Sequence, residues 1–502
     1  MVDPDLLQSP DRILWTNPKW RAEDLGVPLP QSGHANSVCL PRWQDVVDYE
    51  EKKPRVVERL QAGYPRFVVP AACARLFEEA RRELARPDES CHLYPTRRSA
   101  ERCAEQIHRW SGLDARVMPW PGPPVHAVCY PAAAEESALK YWRHTGDGIS
   151  SRRAEAILAG RTRDTDSGPA RTTLRRRIAE LAEVPVESVY LFKSGMAAIY
   201  AVYRAIASIR PGRRSVQFGF PYVDTLHILK DFGTAGEFFP LGNREDLDKL
   251  AALADREKLA GIFCEFPSNP MLSSPDLASL SALARAHGSP LVVDDTIATW
   301  ANVDLRTVAD VSVTSLTKFF TGRGDVMAGS AIIQPSSPFA VELRAALDAE
   351  YEDCLWGANA ILAEQHSRDF AERLQRTNRT TAQIVDWLRN QPGVAEVNYP
   401  SVRDRDLFDA FRKPGGGYGG LFSVLLRDAS RTAPVFYDHL EMCKGPNLGT
   451  TFTLCCPFTL LAHYKELDWA EQCGVSRYLL RFSIGQENPD DLIARIERAL
   501  RV

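Results

Sequence analysis

Ser315-Leu316-Thr317-Lys318-Phe319-Phe320-Thr321-Gly322-Arg323-Gly324-Asp325-Val326-Met327-Ala328-Gly329 is the stretch on which the reading of this chain turns. The apolar run Val308-Ala309-Asp310-Val311-Ser312-Val313 precedes it and predicts a strand. A lysine just past a strand end, set among small hydroxylated residues, can reach a carbonyl group and form a Schiff base. Ser315 and Thr317 beside it can hydrogen-bond an anion. Alone, such a lysine is more often a solvated surface charge. The neighbouring motifs give it a different setting.

Upstream lies Leu291-Val292-Val293-Asp294-Asp295-Thr296, a short apolar strand ending in two acids. A carboxylate at the end of a buried strand is costly unless it meets a positive partner. The protonated ring nitrogen of pyridoxal phosphate (PLP) is such a partner, and an aspartate beneath it would keep the ring an electron sink. A helix cap or a loop acid is the plainer alternative. Further upstream, Val189-Tyr190-Leu191-Phe192-Lys193-Ser194-Gly195-Met196-Ala197-Ala198-Ile199-Tyr200 runs from a strand through Ser-Gly into a helix. The first amides of such a helix lack intrahelical acceptors and face whatever anion lies there, and a phosphate fits.

In this order, the motifs resemble those of the cystathionine gamma-synthase family of PLP enzymes, the Cys/Met metabolism group of fold type I. The resemblance covers roughly residues 140–502, and the front of the chain is similar to the long N-terminal region of the fungal members, at Ser37–Trp43 and Gly63-Tyr64-Pro65-Arg66-Phe67. It implies an internal Schiff base on Lys318, with Ser194, Gly195, Met196, Ser315 and Thr317 around the phosphate. Asp294, followed by Thr296, would lie under the pyridine. Alternation along the strand turns Asp295 the other way. Tyr222, in Phe220-Pro221-Tyr222-Val223, would stack on the ring and assist proton transfer. Asn269, in Glu265-Phe266-Pro267-Ser268-Asn269-Pro270, would sit by the phenolic oxygen. Arg481, in Leu480-Arg481-Phe482-Ser483-Ile484-Gly485, would clamp the substrate α-carboxylate, a task suited to a planar guanidinium.

Two departures stand out. The family's Tyr-x-Arg, given to the phosphate by a neighbouring subunit, reads Ser150-Ser151-Arg152 here, so the arginine is kept and the tyrosine is not. Arg152 would then be a phosphate ligand in trans, within a homodimer or homotetramer. The family's Ser-Leu-Gly beside the substrate carboxylate reads Asn447-Leu448-Gly449. That change bears on substrate choice more than on the cofactor.

The implied function is γ-replacement on an O-acyl-L-homoserine with L-cysteine, giving L-cystathionine. The alternatives are another nucleophile (sulfide, or a carbon or amine nucleophile of specialised metabolism), a C–S lyase, or a non-catalytic scaffold. Intact Lys318, Asp294 and Arg481 speak against the scaffold.

Composition fits an enzyme of this kind. At 502 residues the chain exceeds one core. A content of 44% hydrophobic and 25% charged residues is ordinary for a globular protein, and a net charge of −4 offers no general attraction to nucleic acid. No run of about 18 apolar residues suggests a membrane span. The first residues lack an apolar signal core. Eleven scattered cysteines, without metal-ligand spacing, read as reduced core thiols of a cytoplasmic protein. Strand–helix alternation from about 176 to 335 predicts an α/β domain with a mostly parallel sheet, and the resemblance to fold type I implies a sheet of the seven-stranded type. The expected division is an N-terminal extension (1–135), a large PLP-binding domain (136–340) and a smaller α+β C-terminal domain (341–502).

Overall fold

A computed structural model describes residues 12–64, 68–122 and 124–502. Residues 1–11, the start of the expected arm, and Pro65, Arg66, Phe67 and Pro123 lie outside the described residues.

Three sheets organise the chain. The first has three antiparallel strands, β1 (Glu89–Tyr94), β2 (Arg116–Pro119) and β3 (His126–Pro131), in the order β1-β3-β2. The second comprises β4 (Val189–Phe192), β5 (Val216–Phe218), β6 (Glu237–Phe239), β7 (Ile262–Glu265), β8 (Leu291–Asp294), β9 (Val311–Thr314) and β10 (Gly329–Ile333). Its order is β4-β10-β9-β8-β7-β5-β6. The pairs from β9 through β8, β7 and β5 to β6 are all parallel, while β10 runs antiparallel to both β9 and β4. This is the expected seven-stranded, mostly parallel sheet. Its strands are almost wholly buried, as a sheet covered by helices on both faces requires. The third sheet contains β11 (Val394–Asn398), β12 (Leu421–Leu426), β13 (Cys443–Lys444), β14 (Leu454–Pro457) and β15 (Leu480–Ser483), in the order β11-β12-β15-β14-β13.

Between the large sheet and the C-terminal sheet run three helices, Ala340–Glu350, Gly357–His366 and Phe370–Leu388. One break is tied down from the loop around Asp164. The Gly357 amide, at the start of the second helix, donates to Asp164 Oδ1 at 2.8 Å.

The front region does not form one body. Residues 71–158 make an α/β layer on the three-stranded sheet. Residues before 61 instead cross to the C-terminal sheet. There Leu25, Val38, Leu40, Val46, Tyr49 and Val56 share a core with Ile384, Phe422 and Phe482. Polar contacts fix this crossing. The Leu40 amide donates to the Lys444 carbonyl at 3.1 Å, Tyr437 Oη donates to the Leu40 carbonyl at 2.8 Å, and the fully buried Lys444 Nζ donates to the Pro41 carbonyl at 2.8 Å. Burial pulls the Lys444 amine down to about 8.

All eleven cysteines are free, and all but the half-buried Cys354 are buried. Among the described residues no helix is long and apolar enough to cross a membrane.

Candidate active site

The carboxyl ends of the parallel strands open into a cavity of about 330 Å³, the position that ligands take in open α/β sheets. Lys318, Asp294, Ser194, Gly195, Met196, Tyr222, Asn269, Thr296, Ser315, Thr317, Arg152 and Arg481 all line it. Residues separated by more than 300 positions thus converge on one space.

The anion end is built on the helix Gly195–Ile209, which begins directly after β4. Ser194 is its N-cap, and its Oγ accepts from the Ala197 amide at 3.1 Å. The Gly195 and Met196 amides precede the first intrahelical acceptors and open on the cavity. Gly195 is required by crowding, since a Cβ there would stand 2.6 Å from Ser315 Cβ. Thr296 Oγ1 accepts from the Ser315 amide at 2.8 Å and so ties the end of β8 to the end of β9. The hydroxyl of Thr317 is engaged otherwise than expected. It donates to the Ala328 carbonyl and accepts from the Ala328 amide, both at 3.1 Å. Thr317 therefore braces the loop that carries Lys318, and its hydroxyl is not turned to an anion.

Arg152 reaches this cavity in its own chain, from the helix Ser151–Leu158. Its guanidinium donates to the Asp325 carbonyl at 2.5 Å and to Asp325 Oδ2 at 3.1 Å. The resemblance had implied delivery from a neighbouring subunit. Lys193, the other lysine on the cavity wall, is bound to the carbonyl of Asp147 and lies 3.7 Å from its carboxylate.

The floor is acidic. Asp294 and Glu265 are register partners on β8 and β7. Burial raises both carboxyls above their usual range, and for Glu265 the neighbouring Asp294 adds to it. Asp294 Oδ1 accepts from the Thr296 amide at 2.9 Å. Asp295 points away, is 1% exposed, does not line the cavity, and receives the Thr314 hydroxyl. The alternation read from the sequence is therefore the alternation observed. Glu265 has a role that its motif did not disclose. Its two oxygens accept from the Tyr222 amide at 2.5 Å and the Asn269 amide at 3.0 Å, so one buried acid positions two residues of the wall.

These residues fit PLP. Paired buried carboxylates call for a cation such as a pyridinium. The helix N-terminus offers amides to a phosphate. Lys318, 8% exposed, has its amine pulled down by burial, with Tyr64 opposing and Arg481 adding to the effect.

Lys318 Nζ donates to Asn447 Oδ1 at 2.6 Å and to Tyr64 Oη at 3.2 Å. Neither contact was expected: Asn447 had been read beside the substrate carboxylate, and Tyr64 had no role. Asn447 Nδ2 is buried and has no hydrogen-bond partner among the described residues, an open donor on the side chain that holds the reacting lysine. Arg481 donates to Asn269 Oδ1 at 3.2 Å and to the carbonyls of Pro446 at 2.7 Å and Asn447 at 3.2 Å. Phe458 lies 4.9 Å from its guanidinium carbon. The fork is thus pre-set on the wall opposite the anion end.

The two acids invite a direct comparison. Asp294→Asn should weaken cofactor retention by about 1.5–3 kcal/mol, the worth of a hydrogen bond to a charged group. Burial holds the Asp295 carboxyl well above its usual range, toward the neutral form, so Asp295→Asn should leave retention nearly unchanged. Cofactor loss on dialysis measures both. The reverse ranking would overturn the register.

Comparison with known proteins agrees with this geometry. The model of the Cys/Met metabolism PLP-dependent enzymes matches residues 158–501, and that of the fungal trans-sulfuration enzyme N-terminal domain matches residues 72–150, the three-stranded layer. The chain is 35% identical to a cystathionine gamma-synthase of Neurospora crassa, over 95% of this chain and 98% of that protein. It is 32% identical to the cystathionine gamma-synthase-like enzyme iboG2 of Amanita muscaria, over 95% and 96%. The crystal structure of metB from Corynebacterium glutamicum superposes with a TM-score of 0.58 and 25% identity, covering 66% of this chain and 85% of that one.

Proposed function

The chain belongs to the family of Cys/Met metabolism PLP-dependent enzymes, and from that premise we propose that it replaces the γ-substituent of an O-acyl-L-homoserine with L-cysteine, giving L-cystathionine. The observation that carries this reading is the convergence of Lys318, Asp294 and Arg481 on one cavity, in a chain 35% identical to a cystathionine gamma-synthase along nearly its whole length.

When bound, PLP supplies the electron sink that lets bonds at the α and β carbons of an amino acid break. The chain's own residues do the rest. Arg481 pairs with the substrate α-carboxylate and fixes which end of the molecule faces Lys318. Asp294 holds the cofactor's ring nitrogen protonated. Lys318, its amine lowered by burial, moves protons at the α and β carbons, whose removal lets the γ-substituent leave with its bonding electron pair. Tyr222, held by Glu265, covers the reacting face. Gly195, Met196 and Arg152 hold the phosphate. Asn447 borders the lysine and the carboxylate site together.

A second reading keeps the same first half and changes the nucleophile to sulfide, or to a carbon or amine nucleophile. Asn447, standing where the family has serine, favours it. Self-association as a homodimer or homotetramer belongs to the same proposal, supported by the family resemblance. So does a cytoplasmic location, supported by the free buried thiols.

Mass spectrometry of the products tests the reading. O-acyl-L-homoserine is offered with cysteine, with sulfide and with a carbon nucleophile in separate reactions. The expected result is cystathionine as the fastest-formed product. Faster product formation with another nucleophile selects the second reading. Breakdown of cystathionine without any replacement product would overturn both.

A further inference from the structure

Tyr64 comes from the short segment before the three-stranded layer, 254 residues from Lys318 in sequence. Its side chain lines the same cavity. Lys318 Nζ donates to Tyr64 Oη at 3.2 Å, and Tyr222 Oη donates to the same oxygen at 3.4 Å. The lysine nitrogen also stands 4.6 Å from the Tyr64 ring centre. One phenolic oxygen thus accepts from the reacting lysine and from the tyrosine on the reacting face. Nothing in the motifs around Lys318 or Tyr222 assigns it.

We infer that Tyr64 is a catalytic residue, sharing a proton with Lys318 and setting how readily that lysine takes and returns the substrate's α proton. Once the substrate's amine has displaced Lys318 from the cofactor, two arrangements of the pair hold the same number of protons: ammonium beside phenolate, or amine beside phenol. In the second, Lys318 has a free electron pair. It takes the proton released when the substrate's Cα–H bond breaks and becomes ammonium beside phenol. It then returns a proton to the α carbon and is amine beside phenol again. The electron pair of the broken Cα–H bond passes to the bound cofactor, whose chemistry the family supplies. The ammonium hydrogens swap with solvent before that return, and the number of protons held by the pair is unchanged.

The charged and titratable groups around the phenol agree with this role. Burial alone would push the Tyr64 phenol up, but the Lys318 charge and the hydrogen bonds from Tyr222 and Lys318 outweigh it and bring the phenol down. Asp224, fully buried and paired with His144 at 2.7 Å, opposes that effect. Arg481 acts on the lysine from the far wall. Phenol and amine are thus drawn toward each other, the condition under which a proton is shared with little bias.

The inference rests on the proposed reading that Lys318 moves the α proton, and the experiment separates the two. Holoenzyme is incubated in D₂O with L-alanine, which has no γ leaving group, and loss of the α-proton NMR signal is timed. Wild type is expected to exchange, and absence of exchange there would overturn the Lys318 reading itself. Tyr64→Phe keeps the ring and removes the oxygen. It should slow exchange by roughly 10²-fold, with full cofactor loading and KM within about threefold of wild type. Replacing Tyr64 with a fluorinated tyrosine of lower phenol pKa restores the oxygen, and should move the limb of the exchange–pH profile to lower pH. A merely structural hydroxyl predicts rescue without such a move. Exchange by Tyr64→Phe at the wild-type rate, or an unmoved limb in the fluorotyrosine protein, would overturn the inference.

Discussion

Lys318→Ala should abolish turnover, with a loss of at least roughly 10²–10⁴-fold from missing proton transfer alone. Borohydride should then fix no cofactor to the chain. The expectation follows from how the side chain is kept. Lys318 is buried, its amine is lowered by burial, and its two polar contacts are with Asn447 and Tyr64. Among the described residues, the cavity wall carries one other side-chain amine that could form a Schiff base. Lys193 is also on the wall, but it is committed to Asp147 behind the anion end. Reduction of wild-type holoenzyme followed by peptide mapping is the decisive measurement. Cofactor on the peptide containing Lys193, or any peptide without Lys318, would defeat the assignment.

Arg481→Ala should lower kcat/KM by about 2–5 kcal/mol, the cost of leaving a buried charge without its partner. That corresponds to roughly 30- to 5,000-fold. The loss should fall mainly on KM, because the guanidinium holds the end of the substrate that does not react. Arg481→Lys keeps the charge but loses the planar fork that donates to Asn269, Pro446 and Asn447, so it should fall between wild type and alanine. Steady-state kinetics with one O-acyl-homoserine at fixed cysteine would show this ranking. A fall in kcat at unchanged KM would place Arg481 in the chemistry rather than in binding.

Local signals carried most of the site. Lys318, Asp294 and the Ser194–Met196 turn each sit at the end of an apolar run, and period-two alternation was enough to separate Asp294 from Asp295. The large sheet was legible for the same reason, since its buried strands alternate with amphipathic helices. Contacts made by distant residues were not legible. Tyr64 has no periodicity around it and meets Lys318 only through the tertiary fold. Asn447 could be placed near the carboxylate site, but its hold on Lys318 depends on how the C-terminal sheet meets the large one. The hydroxyl of Thr317 could serve an anion or the backbone of its own loop, and only the position of Ala328 decides between them. The front region misled for a related reason. Its helices have ordinary amphipathic faces, and nothing in them says that residues before 61 pack against a sheet formed some 400 positions later.

That last arrangement has a consequence for how the protein is made. Leu40 and Pro41 find their partners in Tyr437 and Lys444, so during synthesis their segment has no surface to settle on until residues about 400 positions later emerge. At about 5–20 residues per second, the interval is on the order of half a minute. During it the apolar face of Val38, Leu40, Val46 and Tyr49 must remain shielded by something other than its final core. The cavity cannot close in that time either, because Tyr64 follows directly on this segment. The packing that seats Tyr64 beside Lys318 therefore waits on residues made after both of them.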